Sequence, residues 1–412
     1  MVNKARKKPR KSVTKARRSF VLRGLFALAV IIVVAVAAVI VYARVVSPIP
    51  LPLSIINMGS PWESTTPVYT GAGTLVAFVG DDSARPDGSS VKYEAPFHSD
   101  ILNEDRTLLV WLPPGYNETA EPYPVVYTLH GYASRAQTWA NELIDPLEKA
   151  IAAGVIGPVV VVMPDFSVSG NGTDDPATWF DDRSGNFYIN SNLGRFEDHF
   201  FEEIVGLVSS SFNVRTDPEG VVLMGSSMGG YGTLYYGVTH PSFSHVLVPI
   251  YPAADLRYGI RGNKLADYDP AGYALIDTDN PKRIVNAAAG GGLLGVTEQW
   301  LYYPVFDSDK NPGPVWSEDR PVWERLSAVN PVEILDRDNP DLSGQRYYII
   351  VGSADDFNLD AHIPVIVPRL AAHGAVVFPE TNVIPGGRHE PEFIAAHIDE
   401  IIGWIGRELG TH

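Results

Sequence analysis

Residues Gly225-Ser226-Ser227-Met228-Gly229 constrain this chain more than any other stretch, and they form its only Gly-x-Ser-x-Gly. The apolar run Gly220–Met224 precedes them, and a helix-like stretch, GGYGTLYYGVTH, follows. A serine at the tip of a tight strand-to-helix turn must adopt strained dihedrals, and small neighbours let the chain pass closely. Its hydroxyl is then held out over a sheet edge, beside helix N–H groups that favour developing negative charge. Ser227 is the candidate nucleophile. Ser226 is the off-centre alternative, and a plain Gly/Ser turn is the reading without chemistry.

The surrounding pattern fits such a turn. Short apolar runs recur at Thr107–Leu112, Pro124–Leu129, Pro158–Met163, Gly220–Met224, His245–Ile250, Arg346–Val351 and Ala375–Phe378. Successive apolar residues, as in VVVVM, indicate strands covered on both faces. Helical periodicities lie between them, at Asn141–Ala153, Glu197–Ser210, Met228–Val238, Ala361–His373 and Glu392–Leu409. The alternation predicts an α/β fold with a mainly parallel sheet and helices on both faces. Residues 255–342, rich in Gly, Pro and Asp, break the rhythm and read as a cap-like insertion over the C-terminal edge of the sheet.

A serine hydroxyl needs a base, and the base needs an orienting carboxylate; with a serine on such an elbow the order is Ser, Asp, His. Asp355 follows the strand RYYIIV, which places it at the same sheet edge as the serine; Asp356 and Asp360 are alternatives. His389 lies in the Gly-rich loop Pro385-Gly386-Gly387-Arg388-His389-Glu390 before the last helix. An oxyanion needs two fixed N–H donors. The Met228 amide supplies one, and the Tyr132 amide in His130-Gly131-Tyr132 is the candidate for the other. His130 itself reads as a structural hydrogen-bonding residue.

The N-terminal end is a different physical object. Ten basic residues and no acid precede Gly24, and Gly24–Ala43 is an uncharged apolar run of twenty residues closed by Arg44. At about 1.5 Å per residue such a helix spans the roughly 30 Å hydrocarbon core of a bilayer. The expected organisation is a basic cytoplasmic tail (1–23), a transmembrane signal anchor (24–43), a linker with N-terminal strands (44–95) and the catalytic domain (96–412) outside the cytosol, at the cell membrane. A cleaved signal peptide ending near Ala35-Val36-Ala37 is the rival, although the apolar run exceeds the usual length of about 7–15 residues. Abutting a span and lacking interleaved aromatics, the basic run does not read as a nucleic-acid site. Residues 45–412 hold 21 Lys+Arg against 48 Asp+Glu, which weighs against polyanionic substrates. With no cysteine in the chain, disulfides and thiolate nucleophiles are excluded.

Several linked motifs together resemble the esterase branch of the α/β-hydrolases: VWLPPGY (110–116), YPVVYTLHGY (123–132), VVVVMPD (159–165), NFYINSNLGRFEDHFFEEIV (186–205), GSSMGGYGTLYYGVTHPSF (225–243), VGSADD (351–356) and PGGRHE (385–390). That branch includes esterase D-like enzymes, feruloyl and acetylxylan esterases, enterochelin esterases and mycolyltransferases. The resemblance covers roughly residues 93–255 and 330–410. It implies an α/β-hydrolase fold, catalysis by Ser227, Asp355 and His389, oxyanion donors at Tyr132 and Met228, no cofactor or metal, and a small-molecule, glycan or lipid ester as substrate. It departs from the family where Arg388 interrupts Gly-Gly-His and where Glu390-Pro391-Glu392 precedes Phe393. Two rival activities share these residues: acyl transfer to a sugar or lipid hydroxyl, as in mycolyltransferases, and a hydrolase-like domain without catalysis.

Other signals read plainly. Asp174-Asp175 and Asp181-Asp182 lack regular Ca²⁺-ligand spacing and read as solvated loops. Trp139, Trp179, Trp300, Tyr302 and Tyr303 read as core residues by default, with lining of a substrate groove as the alternative, above all for the last three, in the suspected cap. Asn117-Glu118-Thr119 and Asn171-Gly172-Thr173 fit the glycosylation pattern.

Overall fold

The computed structural model describes residues 90–132, 134–168, 185–260, 273–275 and 322–411, together with the short strands Val68–Tyr69 and Leu75–Val76. The basic tail, the apolar run 24–43, the pair Asp174-Asp175, the pair Asp181-Asp182, Trp179, Asn171 and Trp300–Tyr303 lie outside the described residues. No helix among the described residues is long and apolar enough to cross a membrane.

Eight strands form the central sheet: β1 (Val91–Ser99), β2 (Glu104–Leu112), β3 (Val125–Leu129), β4 (Val160–Pro164), β5 (Val221–Ser226), β6 (Val246–Ile250), β7 (Arg346–Tyr348) and β8 (Val376–Phe378). Their spatial order is β8-β7-β6-β5-β3-β4-β2-β1. β2 runs antiparallel to both β1 and β4, and all other neighbours are parallel. Every residue of β3, β4, β5 and β6 is buried. Strands with no polar face must be covered on both sides, which explains their continuous apolar runs.

The seven anticipated strands correspond to β2–β8. β1 was not anticipated and begins upstream of residue 96. Its sequence, VKYEAPFHS, alternates buried and less buried residues, and it carries Pro96. Such a pattern fits an edge strand with one wet face, where a proline costs no central ladder bond.

The principal helices are α1 (Ala136–Ala152), α2 (Val205–Ser211), α3 (Met228–Thr239), α4 (Val322–Val329), α5 (Pro331–Asp338), α6 (Ile363–Ala372) and α7 (Pro391–Leu409). α1 packs with α7, while α5 packs with α3 and α6. The helix expected over Glu197–Ser210 is present as an unbroken helical run from Phe196 to Ser211, but its middle, His199–Ile204, is wound as a π-helix between the α-helical turn Phe196–Asp198 and α2. In the wide π turn Glu203 accepts from the Ser99 hydroxyl (2.5 Å) and lies 2.5 Å from His199 Nδ1, tying this segment to the end of β1.

Chain direction matters for the site. From β3 the next strand, β4, lies on one side, whereas β5 and β6 lie on the other. Loops leaving the C-terminal ends of β3 and β5 therefore diverge and leave a crevice, the usual location of a site in an open α/β sheet. The expected insertion begins and ends in a buried polar clamp. Arg257 Nε and Nη2 donate to Asp255 at 2.9 and 2.8 Å, and Asn330 Nδ2 donates to Asp255 Oδ1 at 2.9 Å. Burial alone would raise the Asp255 ionisation, but the hydrogen bonds from Arg257 and Asn330 hold it below the usual carboxylate value. Between these feet, most of residues 261–321 lies outside the described residues.

Candidate active site

β5 ends at Ser226, α3 begins at Met228, and Ser227 joins them with φ 57° and ψ −116°. A non-glycine residue in that region costs on the order of 1–3 kcal/mol and persists only where its surroundings hold it. Here the Ser227 amide donates to Ile250 O (3.0 Å), and its carbonyl accepts from the Tyr231 amide (2.9 Å). The flanking glycines are steric necessities. A Cβ on Gly225 would run into the Gly229 backbone, and one on Gly229 into the Leu129 carbonyl.

The serine meets two other loops. His389 Nε2 lies 2.9 Å from Ser227 Oγ, and His389 Nδ1 lies 2.8 Å from Asp355 Oδ2. Asp355 is fully buried, and its Oδ1 accepts from the amides of Phe357 (2.9 Å) and Leu359 (3.3 Å). The carboxylate is thus anchored on one oxygen and presents the other to the imidazole. An ionised carboxylate only accepts, so Nδ1 is the protonated nitrogen and Nε2 faces the hydroxyl as acceptor.

The acid and histidine loops are stitched together before their side chains meet. Val351–Gly352 pairs in parallel with Val383–Ile384. Beyond it, Ser353 N donates to Ile384 O (2.8 Å), Ala354 N to Gly387 O (2.9 Å) and Gly386 N to Ser353 Oγ (2.9 Å). A Cβ on Gly352 would collide with the Gly387 backbone, so the loops approach as closely as they do only because both residues are glycine.

The alternatives find other partners. Asp356 forms an ion pair with Arg388 and accepts from the His389 amide (3.3 Å). This gives the interrupting Arg388 a structural place: it braces the histidine loop against the acid loop. His389 Nε2 meets the Ser227 hydroxyl, and Ser226 remains the last residue of β5. Asp360 lies in the 3₁₀ turn Leu359–His362 ahead of α6.

The loop after β3 reaches the serine through Gly131, where an added Cβ would lie 3.6 Å from Ser227 Cβ. Tyr132 follows directly. Met228 is the first residue of α3, so its amide belongs to the first turn, whose N–H groups lack partners within the helix. The Tyr132 ring and the Met228 thioether converge on Gly185, where a Cβ would strike both. Burial pushes the Tyr132 phenol up to about 12, so it stays neutral.

His130 fixes this loop. Its Nε2 accepts from the Phe166 amide (2.9 Å), which leaves Nδ1 as the donor to Gly131 O (2.9 Å). Burial lowers its proton affinity, so the neutral ring suits that role. The Tyr188 hydroxyl donates to His130 O (2.5 Å), and Asn186 bridges Phe166 O and the Tyr188 amide. Asn186 and Tyr188 carry no local signal for this role, because nothing in a sequence pairs them with a loop more than fifty positions upstream. Trp139 is buried and donates to Leu129 O (2.9 Å), in keeping with a core reading. Asn117 is exposed and caps its own turn by accepting from Thr119.

Among the described residues no group of three or more His, Asp or Glu could hold a metal ion. The arrangement is a hydroxyl, an imidazole and a carboxylate in a hydrogen-bonded row beside a helix N-terminus. It can deliver an activated oxygen to an electrophilic carbonyl.

Comparison with known proteins agrees with that chemistry. A family model described as "Putative esterase" matches residues 99–376. A ferulic acid esterase structure superposes with a TM-score of 0.54 at 18% identity, covering 79% of this chain and 100% of its own. An S-formylglutathione hydrolase from Agrobacterium tumefaciens superposes with a TM-score of 0.55 at 18% identity, covering 78% and 97%. The fluorophosphonate-binding serine hydrolase F of Staphylococcus aureus gives 0.50 at 16%, covering 77% and 99%. At these identities the likeness establishes the fold, and the family match over two thirds of the sequence establishes the rest: the chain is a member of the putative esterase family, with an α/β-hydrolase fold.

Proposed function

We propose that the protein is a membrane-anchored serine esterase that cleaves carboxylic esters outside the cytosol through an acyl-enzyme. The observation that carries the reading is the row Ser227 Oγ, His389 Nε2 and Nδ1, Asp355 Oδ2, with both contacts under 3 Å. His389 takes the Ser227 proton as Oγ attacks the ester carbonyl. The Tyr132 and Met228 amides receive the oxyanion. The imidazolium, steadied by Asp355, returns the proton to the leaving alcohol, and water repeats the sequence to release the acid. The substrate is a small-molecule, glycan or lipid ester, with no role for a cofactor or nucleic acid.

The anchor reading rests on the apolar run Gly24–Ala43 and the basic residues before it. It puts the N-terminus in the cytoplasm and the catalytic domain outside the cytosol. Carbonate-resistant membrane association of the full chain supports it; release of a protein cleaved after Ala37 overturns it. Tethering beside envelope lipids and glycans favours a second reading, in which a sugar or lipid hydroxyl replaces water. Product analysis with a sugar acceptor present separates the two.

The test of the chemistry is p-nitrophenyl acetate hydrolysis by the full chain. Ser227→Ala is expected to reduce kcat by about 10³-fold or more and to abolish fluorophosphonate labelling. A Ser227→Ala protein with wild-type turnover sinks the proposal. A panel of short acyl, long acyl, feruloyl and acetyl-sugar esters then assigns the substrate.

A further inference from the structure

Tyr251, directly after β6, has no part in the proton relay, yet its backbone is strained and its side chain packs directly on the imidazole. Its φ is 34°, rare for a bulky residue and costly unless the surroundings enforce it. The enforcement is visible: the Tyr251 amide donates to Ile350 O at 2.7 Å, and the side chain is 4% exposed. Its ring centroid lies 4.2 Å from that of His389, tilted by 44°. Phe357 meets the same imidazole edge-on at 4.7 Å, and Phe393 of α7 lies 5.8 Å from Tyr251.

From this geometry we infer that Tyr251 is a positioning residue for His389, its ring forming the wall that keeps the imidazole aimed at Ser227 Oγ. The inference rests on the triad reading above. Its physical basis is that Asp355 fixes only Nδ1. A hydrogen bond at one nitrogen leaves the ring free to tilt about that contact, and a tilt moves Nε2 away from the hydroxyl. Packing between Tyr251 and Phe357 removes that freedom. Misplacing a reacting group by about 1 Å can cost on the order of 10²-fold in rate.

The experiment compares Tyr251→Phe and Tyr251→Leu in the full chain, using p-nitrophenyl acetate kinetics and the rate constant of fluorophosphonate labelling. Labelling amplitude counts folded sites, whereas the rate constant reports how well His389 activates Ser227. Tyr251→Leu is expected to lower kcat and the labelling rate constant together by about 10- to 100-fold, with KM within about 3-fold of wild type. Tyr251→Phe keeps the ring and is expected to stay within about 5-fold on both. A Leu variant whose labelling rate constant matches wild type overturns the inference, as does an equal loss in Phe and Leu. If Tyr251→Leu shows no labelling amplitude, Tyr251→Met replaces it with the same two outcomes. Ser227→Ala retaining turnover would instead overturn the triad itself, so the two failures are distinct.

Discussion

Asp355 and Asp356 are adjacent in the chain, yet Asp355 Oδ2 lies 2.8 Å from His389 Nδ1 while Asp356 pairs with Arg388. Neighbouring carboxylates thus serve neighbouring residues of the facing loop, one the imidazole and the other the brace beside it. Asp355→Asn is expected to lower kcat/KM by about 10³- to 10⁴-fold, because the amide favours the wrong imidazole tautomer. Asp356→Asn removes a partly exposed ion pair and should cost less than about 10-fold in rate and about 1 kcal/mol or less in stability. Steady-state kinetics of both variants decide which acid serves the base; equal losses would contradict the geometry.

Gly352 and Gly386 lie in these two loops and make a matched pair of tests. A Cβ at Gly352 meets the Gly387 backbone, whereas a Cβ at Gly386 (φ +76°) meets nothing within 4 Å. Gly352→Ala is expected to force the loops apart, with a loss of roughly 2–4 kcal/mol in denaturant unfolding and a large fall in turnover. Gly386→Ala carries only the backbone penalty of about 1 kcal/mol and should stay active.

Glu142 on α1 provides a pH test. Burial, with Glu392 nearby, pushes its ionisation up to about 8, and one carboxylate oxygen is buried without a partner. A carboxyl whose ionisation is raised on folding contributes stability that is full below the unfolded value near 4.5 and is lost as pH rises towards 8. Glu142→Gln should therefore match wild type near pH 4.5 and exceed it above pH 8. The gain is on the order of 2 kcal/mol once partial exposure is allowed for. Thermal midpoints of both proteins across that range measure it, and parallel curves would refute it.

The clamp at the feet of the insertion should matter for stability and little for chemistry. Asp255→Ala leaves the Arg257 guanidinium and the Asn330 amide without their carboxylate, an expected cost of about 3 kcal/mol. Turnover per labelled site should change less than about 3-fold. Denaturant midpoints combined with active-site titration separate the two effects.

Much of this was legible beforehand. β3–β6 announced themselves because fully buried strands must be apolar at every position, and β2, β7 and β8 through the apolar runs they carry beside them. β1 did not, since half its side chains face outward and Pro96 interrupts it. The π-helical turn at His199–Ile204 was invisible because its register depends on what His199 and Glu203 bind at the end of β1. Ser227 was legible through the local steric demand of its turn, and His389 through its loop. Tyr251 carried no local signal, since an aromatic after a buried strand looks like ordinary core.

By itself the sequence determined the strand–helix alternation, the strained serine turn and the order Ser, Asp, His, because each follows from short-range sterics and periodicity. It also left three candidate acids standing. Only the tertiary structure chose among them, by pairing Val351–Gly352 with Val383–Ile384 so that Asp355 points at the imidazole and Asp356 at Arg388. The reason is physical. Contacts between residues some thirty positions apart depend on how closely two backbones can approach, and here that distance is set by glycine meeting glycine across the loops.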